Sequence, residues 1–237
     1  LTEERQMLQD TLRRFLADKY DVKTRNTILD SESGMSADIW AQLAELGVLG
    51  ALFSEDDGGF GGAGFDISVV FEELGRAGVV EPILETCILG GGLVAALGNE
   101  SQKALLESVI GGETCLALAH GEPRSRYDLN RVETVFKDGK LSGHKSMVLG
   151  APNADHIVFS ARESGAIDSK EGISLFLVPV SELDMRVTPM MGGGMAADIY
   201  LDGLALSDDM RLGAAGAAYE HLENMQAAAI TAICAQT

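Results

Sequence analysis

The chain has 237 residues, of which 46% are hydrophobic and 23% charged, a balance typical of a folded globular protein. Its 36 acidic and 18 basic residues give a net charge of −18, and so negative a surface repels nucleic-acid phosphates and anionic lipid. We therefore expect no nucleic acid and no membrane as partner. No apolar run reaches the roughly 20 residues that span a bilayer, no secretory signal is visible, and a cytoplasmic protein is expected.

Residues 1–112 are predicted to form a helical N-terminal domain. Thr2 is suited to cap the first helix, in which apolar residues recur at helical spacing up to Leu16. Ser36 is suited to cap a second helix, and Gly47 to end it. Further helices are predicted over 67–75, 82–97 and 101–110.

Residues 113–212 change to a β pattern. The pair Asp138-Gly139 separates two short β-rich runs and predicts a two-residue hairpin turn. Pro179 is expected to end a later strand. Strands are predicted over 114–119, 134–137, 140–142, 156–161, 173–178, 185–188 and 199–206. The pattern indicates an antiparallel, barrel-like middle domain of about six to eight strands.

Residues 213–237 are rich in alanine and predict one long helix. We interpret it as the first helix of a C-terminal helical domain whose remainder lies beyond this sequence. Leu1 is not a methionine, so a short leading segment is also expected. The order of helices, strands and helix predicts an α+β fold class.

The cysteines and histidines show no spacing typical of a metal site or a redox motif. Cys87, Cys115 and Cys234 are far apart in the sequence, odd in number and flanked by apolar residues. We expect them to be reduced and buried, and we expect no metal.

A glycine-rich segment, Gly59–Gly64, matches the dinucleotide-binding pattern G-x-G-x-x-G. Three acidic residues, Glu55, Asp56 and Asp57, come directly before it, where they would face a pyrophosphate with like charge. The surrounding helices also offer no repeated βαβ units. We therefore interpret the segment as a turn between two helices.

Six passages of the sequence, taken in chain order, resemble those of a known protein family. They are 40–59 (WAQLAELGVLGALFSEDDGG), 71–76 (FEELGR), 117–123 (ALAHGEP), 141–155 (LSGHKSMVLGAPNAD), 173–179 (ISLFLVP) and 199–212 (IYLDGLALSDDMRL). In this order they resemble the acyl-CoA dehydrogenase family, whose own passages include "T-E-P" and "G-x-K-x-W-I-T". Ser125–Asp128 makes the chain most similar to the small subunits of paired bacterial members, such as pimeloyl-CoA dehydrogenase.

The resemblance implies an FAD enzyme that removes two hydrogens from an acyl-CoA thioester. It also implies an electron-transfer flavoprotein or similar acceptor, and a homo- or hetero-oligomer. Two alternatives stay open: a non-catalytic partner subunit of a heteromeric acyl-CoA dehydrogenase, and a flavin acyl-CoA oxidase that uses dioxygen. The family's catalytic glutamate is expected in the C-terminal part. On this chain we interpret Glu81, Glu85, Glu220 and Glu223 as residues of solvated helix faces and name no base.

The resemblance also implies which positions line the flavin. Gly121 stands where the family has a threonine hydroxyl, so a backbone contact is what remains there. Met147 and Leu149 stand within the family's "W-I-T", and Met147 is equally suited to a core position. His120 either contacts the flavin or fills the end of a strand. The implied flavin-binding residues are Leu118, His120, Gly121, Arg126, Tyr127, Met147 and Leu149.

Two arginines follow the glutamate-proline pair in an otherwise acidic chain. Arg124 or Arg126 is expected to meet a CoA phosphate, a flavin phosphate or a substrate carboxylate, because a guanidinium group binds such anions in a fork. The alternative is that this loop is a variable surface segment. Tyr127 stands near the family's thioester position, so Arg124 and Tyr127 are the implied substrate-binding residues.

Overall fold

The computed structural model describes residues 1–62 and 64–237, without the side chain of Glu182. Helices form the first part of the chain and its end, and one sheet lies between them. The α-helices are α1 (Glu3–Lys19), α2 (Val22–Leu29), α3 (Ala37–Glu45), α4 (Gly64–Ala77), α5 (Gly92–Leu97), α6 (Glu100–Lys103), α7 (Leu105–Ile110) and α8 (Tyr219–Gln236), with a π-helical segment at Leu84–Gly91. The strands are β1 (Leu116–Ala119), β2 (Val135–Lys137), β3 (Lys140–Leu149), β4 (His156–Arg162), β5 (Ile173–Pro179), β6 (Met185–Pro189), β7 (Met195–Ala205) and β8 (Arg211–Leu212).

The helix starts follow the predicted caps. The Thr2 hydroxyl accepts the Arg5 N–H at 3.3 Å, and the side chain of Ser36 caps α3. Helix α2 was not predicted. It begins after Asp21, whose carboxylate accepts the Thr24 N–H at 2.7 Å. None of the described helices is both long and apolar enough to cross a bilayer.

One apolar core joins the helices to one face of the sheet. It contains Leu12 of α1, Phe71 of α4 and Leu116 of β1, all fully buried. Helix α8 contributes Leu222 and packs along α4, where the backbone at Gly75 approaches that of Gln236. The last helix therefore helps to close the core of the first ones.

The strands form one mixed sheet in the order β6-β7-β3-β2-β4-β5-β8, with β1 paired to β4. Most neighbours are antiparallel, but β4 is parallel to both β1 and β2. The α+β fold class is confirmed. The sheet is open rather than a closed barrel, and its second face carries a separate apolar core around Phe159 and Ile199.

The predicted hairpin is confirmed. Lys137 pairs with Lys140, and the residues between them, Asp138 and Gly139, have φ angles of 51° and 73°. A type I′ turn requires positive φ at both positions, which explains the aspartate and the glycine.

The π-helical segment lies against β1. The Thr86 hydroxyl donates to the Leu116 carbonyl at 3.2 Å and accepts the Leu116 N–H at 3.3 Å. A Cβ atom at Gly90 would lie 2.6 Å from the Leu116 Cβ, so only glycine allows this approach. This contact fixes the segment where the helices meet the sheet.

Gly59, the first glycine of the glycine-rich segment, packs closely against the backbone of Gly50. A Cβ atom at Gly59 would lie 2.4 Å from the Gly50 carbonyl oxygen, so this glycine serves the packing of a turn. Ala63, within the same motif, lies outside the described residues.

All three cysteines are free; Cys87 and Cys115 are buried. The prediction is wrong for Cys234, which lies on an exposed face of α8.

Candidate functional site

A buried ion pair lies beneath the end of β1. The Lys145 side chain on β3 is 0% exposed, and its Nζ atom donates to the Glu122 Oε1 atom at 2.7 Å. The same ammonium group donates to the Ser160 hydroxyl at 3.0 Å and to the His120 carbonyl at 3.3 Å. Its three protons are therefore all used, as a buried charge requires.

Glu122 links this ion pair to the loop that follows. Its carboxylate accepts the Glu133 N–H at 2.6 Å and the Thr134 N–H at 2.9 Å. Burial lowers the pKa of Lys145 to about 8 against the opposing effect of Glu122. The pKa of Glu122 is lowered: burial acts to raise it, but the charge of Lys145 and its hydrogen bonds prevail. The pair thus stays ionised at neutral pH.

His120 is held in one protonation state by the same network. Its Nδ1 atom lies 2.8 Å from the Ser160 hydroxyl oxygen. Lys145 donates to the same oxygen, so the Ser160 hydroxyl joins the His120 ring to the ammonium group. Burial and the charge of Lys145 lower the pKa of His120 to about 4. The Nε2 atom is buried and has no close hydrogen-bond partner within the described chain, although the Leu129 backbone acts to raise the pKa of the ring.

The loop after Glu122 carries the predicted arginines. Ser125 is buried, and its hydroxyl accepts the Glu122 N–H at 3.0 Å. Arg124, Arg126 and Tyr127 are exposed, Tyr127 at 98%, and their side chains make no hydrogen bond or ion pair with any described residue. Arg126 has a φ angle of 49°, which costs energy in a residue with a Cβ atom.

Arg162 fixes the far end of this loop. Its guanidinium group is buried and donates to six backbone carbonyls. These belong to Asn130, Val132, Ser164, Ile167, Ser169 and Glu171. The loop that follows β1 and the loop that follows β4 are therefore joined through one side chain.

A bulge interrupts β3 at Met147. The register against β7 shifts between Lys145 and Val148, and Met147 has a φ angle of 53°. The Asp198 carboxylate on β7 accepts the Met147 N–H at 3.1 Å and holds this conformation. Apart from Asp138 in the hairpin, Met147 and Arg126 are the only described non-glycine residues at positive φ. Such strain is often kept at functional sites.

The bulge leaves apolar side chains on the surface. Met147 is 53% exposed and Leu149 39%, whereas Val148 between them is buried. Met147 is therefore not a core residue. The Ser146 N–H donates to the Gly121 carbonyl at 2.9 Å, which joins the bulge directly to the end of β1. The structure thus brings together His120, Gly121 and Met147, with Leu118 partly buried in β1.

A cleft of about 340 Å³ opens beside Leu149, between the sheet and the helices. Its walls are largely apolar, with three successive glycines, Gly192–Gly194, on one side. Two carboxylates, Glu81 and Glu85, also line it. The interpretation of these two as residues of solvated helix faces is wrong. Glu220 and Glu223 do lie on an exposed face of α8.

Glu81 belongs to the framework of the cleft. It accepts a hydrogen bond from the Tyr20 hydroxyl at 2.7 Å and the Ser36 N–H at 3.3 Å. Burial, and then the charge of Glu81, raises the pKa of Tyr20. The tyrosine thus stays protonated. Through Glu81, it joins the end of α1 to the start of α3.

Comparison with known proteins gives the family. Residues 2–113 match the domain described as the acyl-CoA dehydrogenase N-terminal domain. Acyl-CoA dehydrogenase fadE12 of Mycobacterium bovis is 28% identical over 202 residues, which are 79% of this chain and 51% of that protein. The chain belongs to the acyl-CoA dehydrogenase family. The predicted family is thereby confirmed.

A further relative and a solved structure are also similar to the chain. A (2S)-methylsuccinyl-CoA dehydrogenase of Cereibacter sphaeroides is 30% identical over 203 residues, 82% of this chain and 37% of that protein. The crystal structure of the ChsE4-ChsE5 complex from Mycobacterium tuberculosis superimposes with a TM-score of 0.82 at 21% identity, over all of this chain and 65% of that one. The chain spans about half, or less, of the length of these two curated relatives.

Sequence reasoning missed the network that supports the predicted flavin positions. Glu122 and Lys145 lie inside the two passages that resemble "T-E-P" and "G-x-K", so a signal was present. Nothing in the sequence indicated that Ser160 or Asp198 would join them. Among the described residues, no group of three or more acidic, histidine or cysteine side chains is arranged to hold a metal ion.

Proposed function

We propose that this chain forms the flavin and acyl-CoA side of an FAD-dependent enzyme that introduces an α,β double bond into an acyl-CoA thioester. The observation that carries the proposal is the surface around the β3 bulge. There, the apolar Met147 and Leu149 side chains are exposed beside the side-chain-free Gly121. The proposal also rests on the family to which the chain belongs.

The residues at this surface fit a flavin ring. A flat, largely apolar ring gains from covering Met147 and Leu149, and a methionine side chain adapts to an aromatic face. Gly121 leaves backbone groups accessible at the edge of that surface. FAD bound there would accept a hydride from the acyl chain, and the protein's part is to orient the ring and exclude water.

The exposed loop arginines supply positive charge in a chain of net charge −18. Arg124 and Arg126 have no partner among the described residues, so either can bind a phosphate of FAD or CoA without breaking an existing contact. Tyr127 beside them is free to lie against the thioester end of the substrate. The glutamate that takes the α-proton is proposed to lie outside this chain.

A partner-subunit role is the second candidate, and one observation favours it. At the proposed ring site the family's threonine hydroxyl and tryptophan ring are replaced by Gly121 and Met147, which weakens ring binding. A chain of this fold would then complete the active site of another. An electron-transfer flavoprotein or similar protein is the proposed acceptor, and a homo- or hetero-oligomer the proposed assembly.

The experiment is an anaerobic absorption spectrum of the protein purified from its complete gene, before and after acyl-CoAs are added. The proposed enzyme carries a flavin spectrum that bleaches with at least one acyl-CoA. A protein that takes up no FAD, or whose flavin no acyl-CoA bleaches, contradicts it and supports the partner-subunit role. Rapid reoxidation of the bleached flavin by dioxygen would instead identify an oxidase.

A further inference from the structure

Glu85 is held at the wall of the cleft from two sides. Its neighbour Thr86 is fixed to β1 through the two hydrogen bonds with Leu116. On the other side lies Gly150, directly after Leu149. A Cβ atom at Gly150 would be only 3.0 Å from the Glu85 Cβ atom. The backbone there has a φ angle of 70°, which glycine accepts without strain. The position of Glu85 in the cleft is therefore built by both the helical and the sheet parts.

The Glu85 side chain is partly buried, and its carboxylate has no side-chain partner within the described chain, only a hydrogen bond with its own backbone. The other carboxylate of the cleft, Glu81, is satisfied by Tyr20 and Ser36. Glu85 lies in the π-helical segment, a geometry that occurs frequently at functional sites. Water reaches this partly buried carboxylate in the open cleft, so a ligand that displaces the water has to replace its hydrogen bonds.

The surroundings restrict what the ligand group can be. Residues that line the cleft near Glu85, such as Pro82 and Leu149, are apolar. Burial raises the pKa of the carboxyl group, so its protonated form is populated at higher pH than usual. A hydroxyl group can donate to the ionised form and accept from the protonated one, whereas an ammonium group matches only the ionised form.

We propose that Glu85 recognises a hydroxyl group on the acyl part of the ligand that occupies this cleft, and so selects hydroxylated acyl thioesters over plain aliphatic ones. The proposal rests on the proposed function for the thioester itself. The hydroxyl group replaces the missing partner of Glu85, and the apolar walls bind the hydrocarbon around it. A ligand without the hydroxyl displaces the water around the carboxylate and leaves it unpaired.

The test is equilibrium binding to the flavin-loaded protein from the complete gene, by calorimetry, with octanoyl-CoA and its monohydroxylated positional isomers. The wild type is expected to bind at least one isomer about tenfold tighter than octanoyl-CoA. Glu85→Leu should reduce this preference to less than about twofold, and Glu85→Gln should keep part of it, because an amide still forms the hydrogen bond. Glu220→Leu, which removes a solvated carboxylate on α8, is the matched control and should keep the wild-type preference.

An unchanged preference in Glu85→Leu, or no preference of the wild type for any isomer, overturns the proposal. Flavin bleaching by the same ligands is recorded separately. A hydroxyl preference that depends on Glu85, without bleaching, contradicts the proposed reaction and supports the role of Glu85.

Discussion

The Lys145 ammonium group has no exposed surface, and the charge of Glu122 stabilises it there. We predict that Lys145→Met costs about 3–5 kcal/mol of the free energy of unfolding, because it leaves the glutamate charge buried and unpaired. Urea unfolding measures the change. Lys103→Met is the control: this lysine is 41% exposed beside Asp57 and should cost less than about 1 kcal/mol. Equal costs for the two substitutions would contradict the assigned role of the buried pair.

His120 makes the free energy of unfolding depend on pH, and the sign of this dependence follows from its pKa. Its pKa is about 4 in the folded chain and 6.5 when unperturbed, so between these values the unfolded chain binds more protons. The contribution of His120 to the free energy of unfolding is therefore fully present above pH 6.5. It is lost as the pH is lowered toward 4, and the loss is at most about 3 kcal/mol.

We predict that His120→Gln removes this part of the pH dependence. Urea unfolding at several pH values between 4 and 7 should give a smaller loss for the variant than for the wild type. Two parallel profiles would show that His120 is not held neutral in the folded chain.

At the scale of the element, Arg162 connects two loops through six carbonyls. A lysine has three donors and no fork, so it cannot replace these contacts. We predict that Arg162→Lys costs at least about 2 kcal/mol and speeds amide hydrogen exchange over 128–132 and 163–172. Arg186→Lys, on an exposed position of β6, should change neither. Unchanged exchange in both loops would contradict the prediction.

The β3 bulge at Met147 combines strain with the proposed ring contact. Glycine accepts a φ angle of 53° freely, so Met147→Gly should leave the free energy of unfolding unchanged or raise it by up to about 1 kcal/mol. Leu149 lies in the same strand and is not among the residues at positive φ, so Leu149→Gly should lower it by about 1 kcal/mol. Both should weaken FAD binding. A loss of stability in Met147→Gly as large as in Leu149→Gly would show that the bulge is not strained.

Short sequence signals predicted correctly the caps and the turn whose contacts lie within a few residues. Thr2, Ser36 and the Asp138-Gly139 turn each act through neighbours a few residues away, and each was predicted correctly. Helix α2 is short, and only its cap, Asp21, could have indicated it. The parallel pairs of β4 join segments far apart in the sequence, so no local pattern could predict them.

At the scale of the whole molecule, the proposed site depends on contacts between distant parts of the chain. The family resemblance gave the positions of Gly121 and Met147, and the structure brings them together. It could not give the buried network below them, because the hydrogen-bond partners of the Glu122 and Lys145 side chains lie 11 or more residues away in the sequence. Glu85 was misinterpreted for the same reason: its surroundings come from β3 and from the glycine loop before β7.

We propose that the exposed apolar surface at the β3 bulge binds the flavin ring. The most direct test is the dissociation constant of FAD for the apoprotein from the complete gene, with Met147→Glu against the wild type. Met7→Glu, at an exposed methionine of α1, is the matched control. We predict that Met147→Glu weakens FAD binding tenfold or more while Met7→Glu binds like the wild type. Wild-type FAD affinity in Met147→Glu would contradict it.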